Sequence, residues 1–501
     1  MRPTTQELDH AHVWHPFTPM RQWRGQTPIA IDRAEGFHLI DEQGNRYLDG
    51  VSSLWCNVHG HRVPAIDNAI RRQLDKLAHS TLLGLTHRPA AQFAEKLVKR
   101  LNRHVPDSID PRDKLNKVFY SDAGATAVEV AFKMAVGYWH HTGRPEKHKF
   151  IGLAGAYHGD TTGSMSVGYS DLFHKPFVSM VFDVTSFPAP DALRYPKQKA
   201  HREADLVSRL CKTCRGEDKT CQTIWPSECE QFGNWLGHEC ITHLDKLLKE
   251  QAHETAAICI EPVMQGAAGM VCQPPGFVAA VGKLAREHDV LLILDEVATG
   301  FGRTGAMFAF EHDLGVGGFT GPDLLCLAKG ITGGTLPLAA TVASDQLEQA
   351  FAGELHERKT LYHGHTYTGN PLACAAAIAS LDLFDQPLGE SPDLIAHARH
   401  AAELIAERLN DLRGAPNVLD VRQRGLMVGI ELGRRDAHGN AQPFDFAKQT
   451  GKAVCDALRD EGVLIRPLGD VVVLVPPPAM GLDQIDELTT KTVKMILRQA
   501  W

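Results

Sequence analysis

Lys329 follows a run of apolar residues and is followed by small ones. The run Leu324–Leu327 indicates a buried strand, and Gly330, Gly333 and Gly334 come directly behind the lysine. A lysine in such a place loses water around its ammonium group, which lowers its pKa and makes the amine a nucleophile toward an aldehyde. Taken alone, this segment fits equally a solvated lysine at the end of a strand, which is the commoner situation.

Asp295 stands at the end of a second apolar run. Residues 290–294 contain no polar side chain, which is typical of a parallel strand covered on both faces. Ligands bind at the carboxyl ends of such strands in open α/β sheets. A carboxylate there would hold a pyridine nitrogen protonated and make the ring an electron sink. An aspartate that caps the following helix is the alternative interpretation.

A candidate phosphate site comes earlier in the chain. Residues 118–120 are typical of a short strand, residues 121–126 of a turn built from small residues, and apolar residues then recur at helical spacing from Ala127. The start of the helix leaves backbone N–H groups free at its positive end, which suits a phosphate. An ordinary strand-to-helix turn fits the same residues.

These three segments, in this order, resemble class III aminotransferases of pyridoxal-phosphate fold type I. Further segments resemble the branch of that family that acts in biotin synthesis: residues 14–18, 51–55, 157–160, 363–371 and 465–467. The resemblance covers nearly the whole chain except residues 191–240. It implies an α/β fold with a large doubly wound, mainly parallel sheet domain and a smaller α+β domain.

The resemblance also implies an activity. It implies ping-pong transamination with pyridoxal 5'-phosphate bound through Lys329, and transfer of an amine to 8-amino-7-oxononanoate to give 7,8-diaminononanoate. S-adenosylmethionine is the implied amino donor, and lysine is the other donor used in the family. Another class III ω-aminotransferase, acting on a diamine or an ω-amino acid, is the alternative. A non-catalytic pyridoxal-phosphate-binding protein is disfavoured by the complete set of lysine, aspartate and tyrosine.

Individual site residues are implied by the same resemblance. The cofactor-binding residues are Gly124, Ala125, Tyr157, Asp295, Lys329, His365 and Thr366, and the substrate-binding residues are Phe17, Leu54, Trp55, Tyr157, Gly364 and Arg466. Tyr157 would stack on the cofactor ring, and the Arg466 guanidinium would bind a substrate carboxylate through two hydrogen bonds. Thr366 would reach the phosphate of the partner subunit's cofactor, which implies a homodimer with shared active sites. Relatives of the enterobacterial type carry a tyrosine at the place of Phe17 and a second tryptophan at the place of Leu54, so the donor stays open.

The composition fits a globular enzyme that handles small molecules. The chain has 501 residues, of which 43% are hydrophobic and 22% charged. Its net charge of −8 gives no electrostatic reason to bind nucleic acid or an anionic membrane. We find no apolar core of a signal peptide at the N-terminus and no run of 18 apolar residues. The scattered cysteines suggest free thiols, so we expect a cytoplasmic protein.

Alternating strand and helix patterns predict a large domain with flanking parts. We expect an N-terminal segment, 1–60, packed with the small domain, a large cofactor-binding domain, 61–384, and a C-terminal small domain, 385–501. Residues 191–240 interrupt the large domain as a cysteine-rich insertion. Its cysteines are Cys211, Cys214, Cys221, Cys229 and Cys240. The pair Cys211 and Cys214 could help to hold zinc, but the spacing lacks a second Cys-x-x-Cys, so we expect that zinc is absent or is not needed for activity.

Overall fold

The computed structural model describes residues 2–110, 113–191, 230–436 and 441–498. Cys211, Cys214, Cys221 and Cys229 of the predicted insertion lie outside the described residues, so that interpretation stays a prediction. Cys240 lies in the described helix Glu230–Gln251, where its thiol is buried and free.

A seven-stranded sheet forms the centre of the large part of the chain. From one edge to the other its strands are Leu115–Ser121, Ala339–Ser344, Leu324–Leu327, Leu291–Asp295, Thr255–Ile260, Lys149–Leu153 and Thr185–Phe187. Among these strands, Ala339–Ser344 runs antiparallel to both neighbours, and the other pairings are parallel. This confirms the predicted α/β fold with a mainly parallel sheet.

Helices cover both faces of this sheet, which is why its central strands are apolar throughout. Ile293 packs in one core cluster with residues of the helix Gly124–His141, whereas Leu292 and Leu294 pack in another cluster on the opposite face. The described α-helices are Thr5–His12, Met20–Trp23, Ser52–Trp55, Pro64–Leu74, Arg88–Leu101, Gly124–His141, Thr162–Val167, Asp171–His174, Glu230–Gln251, Phe277–Glu287, Asp345–Gln349, Pro371–Leu383, Leu394–Leu409, Thr450–Asp460 and Leu482–Arg498. Short 3₁₀ helices are Lys175–Met180, Ala309–Asp313, Val316–Gly318, Lys329–Thr332, Leu355–Glu357, Asn410–Leu412 and Phe446–Lys448. In the described part of the chain, no helix is long and apolar enough to span a membrane.

The N-terminal and C-terminal parts of the chain share a second core. One sheet contains Ile31–Glu35, His38–Asp41, Arg46–Asp49 and Val463–Leu464, and another contains Val418–Arg424, Met427–Leu432, Val471–Leu474 and Arg466–Leu468. Two strand pairs are Met264–Gln265 with Val271–Cys272, and Arg434–Arg435 with Ala441–Gln442. Leu48, from the N-terminal hairpin, packs among residues of the last hundred positions. The domain boundaries at residues 60 and 384 stay a prediction.

Candidate active site

Lys329 is held in an unusual backbone conformation at the end of a buried strand. It begins the 3₁₀ turn Lys329–Thr332, one residue after the strand Leu324–Leu327, and has a φ of 47°. Non-glycine residues in that region cost about 1–3 kcal/mol and persist where the surroundings fix them. The ammonium nitrogen lies 4.9 Å from the centre of the Trp55 ring. Burial lowers the pKa of Lys329, although the carboxylates of Asp295 and Glu261 oppose the shift. The lysine can therefore lose its proton more easily than a solvated lysine.

Asp295 is the last residue of its strand, and two donors fix its carboxylate. Oδ1 accepts a hydrogen bond from the backbone N–H of Val297 at 3.0 Å, and Oδ2 accepts one from His158 Nδ1 at 2.7 Å. On the other side of the imidazole, Nε2 lies 3.7 Å from Cys259 Sγ. Burial alone would lower the pKa of His158, but Cys259 and Asp295 favour its charged form and the pKa is raised well above its usual value. A carboxylate held in this way is suited to a protonated ring nitrogen.

The start of the helix Gly124–His141 fits a phosphate. Its first N–H groups, including those of Gly124 and Ala125, have no partners within the helix. The hydroxyl of Ser121, at the end of the preceding strand, is buried and has no hydrogen-bond partner. A Cβ atom at Gly124 would come within 2.6 Å of the Val297 side chain, so only glycine lets the helix lie this close to the Asp295 loop. Free backbone N–H groups at the start of a helix, with glycine leaving room beside them, are features that suit phosphate binding.

Tyr157 is fixed by two carboxylates. Its backbone N–H donates to Glu261 Oε1 at 3.1 Å, and its hydroxyl donates to Asp160 Oδ2 at 2.9 Å. Glu261 accepts a second hydrogen bond from the Gly266 N–H at 2.9 Å. Burial raises the pKa of Glu261 to about 7. Burial, followed by the Asp160 carboxylate, also raises the pKa of Tyr157 above its usual value, so the ring is oriented without being ionised.

One cavity joins these groups. Its volume is about 650 Å³, within the range of cofactor and substrate pockets. Of the residues predicted for the site, its walls contain Trp55, Gly124, Ala125, Tyr157, Asp295 and Lys329. The structure therefore brings together the segments of Lys329, Asp295 and Gly124, from which the cofactor site was predicted.

Three other predicted residues are connected to the cavity wall through neighbouring residues. Phe17 is 69% exposed, and its ring centre is 6.0 Å from that of Phe173, which in turn lies 6.4 Å from the Tyr157 ring. Leu54 precedes the buried Trp55 but is itself 54% exposed. His365 Nε2 is 3.9 Å from Asp122, a residue of the cavity wall.

The remaining predicted residues are not among the residues that line this cavity. Gly364 and Thr366 are exposed on the loop before the helix Pro371–Leu383, and Arg466 is exposed at the start of the strand Arg466–Leu468. The roles assigned to these residues, like the other individual site assignments, stay predictions.

Sequence reasoning assigned no role to His158, Arg303 or Ser121. His158 lies 137 positions from Asp295 in the chain, so their contact follows from the strand order rather than from a local motif. The sequence contains one indication of a role for Arg303, because this arginine lies among the glycines of residues 300–305. Its side chain is fully buried and forms three hydrogen bonds, to Ser52 and Asn57 in one segment and to Pro476 in another.

The family is established by comparison with known proteins. Residues 20–496 match the family model described as aminotransferase class-III. The chain belongs to the class III aminotransferases.

This class III aminotransferase has relatives that are similar over nearly their whole length. It is 45% identical to the adenosylmethionine-8-amino-7-oxononanoate aminotransferase of Geobacter sulfurreducens, with 98% of this chain and 97% of the relative covered. It is 31% identical to an omega-aminotransferase of Caulobacter vibrioides, with 97% of each chain covered.

Solved structures agree with the fold of this class III aminotransferase. The adenosylmethionine-8-amino-7-oxononanoate aminotransferase of Methanocaldococcus jannaschii superimposes with a TM-score of 0.82 at 38% identity, covering 98% of both chains. An amine transaminase from an uncultivated Pseudomonas species, in a pyridoxal-phosphate-bound form, has a TM-score of 0.81 at 31% identity and covers 97% of this chain and 98% of its own. The resemblance identified in the sequence is confirmed at the level of family and fold.

Proposed function

We propose that this class III aminotransferase uses pyridoxal 5'-phosphate to convert 8-amino-7-oxononanoate to 7,8-diaminononanoate in biotin synthesis. S-adenosylmethionine is the amino donor in this proposal, and lysine is the alternative donor. The observation that carries the cofactor assignment is the meeting of Lys329, Asp295 and the start of the helix Gly124–His141 in one cavity. Support for the substrate comes from relatives that carry this enzyme name at 40–45% identity over nearly the whole chain.

The residues of the cavity have separate tasks in this proposal. Gly124 and Ala125 hold the phosphate through their N–H groups, and Asp295 holds the ring nitrogen. When bound, pyridoxal phosphate supplies an aldehyde that reacts with amines and a protonated ring that accepts electrons from the donor Cα. Tyr157 packs against the ring, and the hydrogen bonds to Asp160 and Glu261 keep it in place.

Lys329 performs the chemistry that the chain itself contributes. Its amine is desolvated beside Trp55, so it reaches the neutral, nucleophilic form at a lower pH than an exposed lysine. With the cofactor bound, the Lys329 amine would hold its aldehyde and, once the donor amine has replaced it, would take the donor Cα proton as a base and deliver it as an acid to the former aldehyde carbon.

Two residues outside the cavity of a single chain complete the proposal. Arg466 binds the carboxylate of the acceptor, because a guanidinium forms two parallel hydrogen bonds with it. Thr366 binds the phosphate of the partner's cofactor. Position 125 is alanine and offers no hydroxyl to the phosphate, so a hydroxyl from a second subunit carries more of the binding.

A homodimer is therefore part of the proposal, and an exposed apolar surface supports it. Leu83 and Leu85 are 89% and 61% exposed, and Tyr362 and Tyr367 are 66% and 61% exposed. The Tyr367 ring lies 4.8 Å from that of His79, so the two loops that carry these residues are adjacent. Apolar patches of this kind mark contact surfaces between proteins. We place the enzyme in the cytoplasm, because the cysteines of the described residues are free thiols.

The competing function is that of an ω-aminotransferase for a diamine or ω-amino acid, which the similarity to the Caulobacter protein supports. Mass-spectrometric detection of the aminated product separates the two. We expect 7,8-diaminononanoate from 8-amino-7-oxononanoate with S-adenosylmethionine or lysine, and growth of a bacterial strain that is blocked at this step. Amination of pyruvate without amination of 8-amino-7-oxononanoate would contradict the proposal.

A further inference from the structure

The turn that carries Trp55 into the cavity has a strained backbone. Ser52, Ser53 and Trp55 have φ values of 51°, 60° and 61°. Residues other than glycine seldom occupy this region, and several in succession need outside support. Two buried side chains, Asp49 and Arg303, bond to this turn.

Asp49 provides the support on one side. It is fully buried, and its Oδ1 accepts a hydrogen bond from the Ser53 N–H at 2.8 Å while its Oδ2 accepts one from the Ser53 hydroxyl at 3.0 Å. His61 Nε2 lies 3.1 Å from the same Oδ2, and His61 Nδ1 lies 3.2 Å from the side-chain amide of Asn57. One carboxylate thus bonds to the centre of the turn and to the segment that follows it.

Arg303 provides the support on the other side. Its buried guanidinium donates to the Ser52 hydroxyl at 2.9 Å, to the Asn57 carbonyl at 2.7 Å and to the Pro476 carbonyl at 2.9 Å. The Ser52 hydroxyl in turn donates to the Val475 carbonyl at 2.6 Å. The turn is thereby fixed to the glycine-rich loop after Asp295 and to the C-terminal part of the chain.

The position of the Trp55 indole depends on this turn. The indole is 91% buried, that is 9% exposed, and the Lys329 ammonium nitrogen lies 4.9 Å from its ring centre. A Cβ atom at Gly266 would lie 3.0 Å from the indole, so the ring is already in close contact with the opposite wall. A change in the turn would therefore move the indole relative to Lys329 and Gly266.

We propose that Asp49 is a positioning residue that, with His61 and Arg303, holds the Ser52–Trp55 turn and so fixes the Trp55 indole at the substrate side of Lys329. The inference rests on the proposed function, in which Trp55 contacts substrate. Asp49 touches neither the reacting amine nor the cavity, and it acts through Trp55.

Alkylation of Cys56 tests the inference without any activity measurement. Cys56 follows Trp55, is half-buried in the cavity wall, and its thiol lies 3.6 Å from the Ser52 carbonyl. The rate of its reaction with iodoacetamide, measured by peptide mass spectrometry, reports how firmly the turn is held. The rate of the same Cys56 peptide in the parent protein serves as the reference. Asp49→Asn removes the acceptor for one of the two Ser53 bonds, and we expect Cys56 to react about tenfold faster.

Asp41→Asn is the matched control. Asp41 is also buried in the N-terminal hairpin and accepts the Gln43 and Asn45 N–H groups at 3.0 Å and 2.8 Å, but it has no bond to the Ser52–Trp55 turn. We expect it to leave the Cys56 rate unchanged. If Asp49→Asn does not fold, Ser53→Ala removes the hydroxyl bond alone and should accelerate Cys56 about threefold. Equal Cys56 rates in the Asp49→Asn and Asp41→Asn proteins, or no acceleration in Ser53→Ala, would overturn the inference.

A double-mutant cycle tests whether Asp49 acts through Trp55. We expect Asp49→Asn to lower kcat/KM for the keto acceptor about tenfold in the parent but less than about twofold in Trp55→Ala, because the indole is no longer there to misplace. Equal losses in both backgrounds would contradict the role of Trp55. An inactive parent contradicts the proposed function alone, and the Cys56 rates then decide this inference.

Discussion

The hydrogen bond between His158 and Asp295 should be needed for full activity. His158→Leu keeps a buried side chain of similar size but removes the donor that lies 2.7 Å from Asp295 Oδ2. A hydrogen bond to a charged group contributes about 1.5–3 kcal/mol, and each ~1.4 kcal/mol is a factor of ten in rate. We therefore expect kcat/KM to fall by roughly 10- to 150-fold, because Asp295 would hold the ring nitrogen less firmly.

Steady-state kinetics of purified variants measure this effect. His158→Gln retains an N–H donor for Asp295 and should recover part of the loss. The control is His397→Leu, because His397 is another buried histidine, bonded to the Met480 carbonyl at 2.8 Å in the core of the C-terminal part. It should lower the melting temperature without a comparable loss of kcat/KM. A folded His158→Leu enzyme within twofold of the parent would refute the reasoning.

Three further predictions follow from the site. Asp295→Asn should retain cofactor but lose most activity, because an amide cannot hold the ring nitrogen protonated by charge; unchanged turnover would remove Asp295 from the mechanism. Lys329→Ala and Thr366→Ala homodimers should both lack activity, whereas a heterodimer of the two should recover activity in the one site that carries neither change. A phosphate hydrogen bond contributes about 1.5–3 kcal/mol, so Thr366→Ala should bind the cofactor at least about tenfold more weakly. Burial raises the pKa of Glu296 to about 8 in the folded protein, compared with an ordinary value of 4.5. The protonated carboxyl therefore adds to the free energy of unfolding below pH 4.5, and this contribution declines above pH 4.5 and is lost as the pH rises through about 8. Melting temperatures of Glu296→Gln should change less with pH over that interval, and parallel curves for parent and variant would contradict this.

The central strands of the large sheet could be predicted from the sequence because they are buried on both faces. The runs before Asp295 and Lys329 contain only apolar residues, so these strands could be predicted without an alternation of apolar and polar positions. Each functional residue comes at the end of its apolar run. Parallel strands bring their carboxyl ends to one edge of a sheet, which places these two residues together.

Other features could not be predicted because they depend on the assembly of distant segments. Two short strands around Ile465 belong to different sheets, because Val463–Leu464 pairs with the N-terminal hairpin and Arg466–Leu468 pairs with Val471–Leu474. The contact between His158 and Asp295 requires two loops to meet across strands that are not consecutive in the chain. The buried position of Arg303 depends on carbonyl groups from both ends of the chain.

The central claim is that Lys329 is the lysine that binds the cofactor aldehyde, and reduction with borohydride followed by peptide mapping tests it directly. Lys147 is the internal control, because it is also buried, lies 4.5 Å from the ring centre of Trp139, and has a pKa lowered by burial. It lies far from the carboxyl-terminal edge of the sheet and outside the cavity walls. We predict a reduced pyridoxyl adduct on Lys329, none on Lys147, and no adduct in Lys329→Ala. An adduct on another lysine of the parent, or ordinary turnover by Lys329→Ala, would contradict the account.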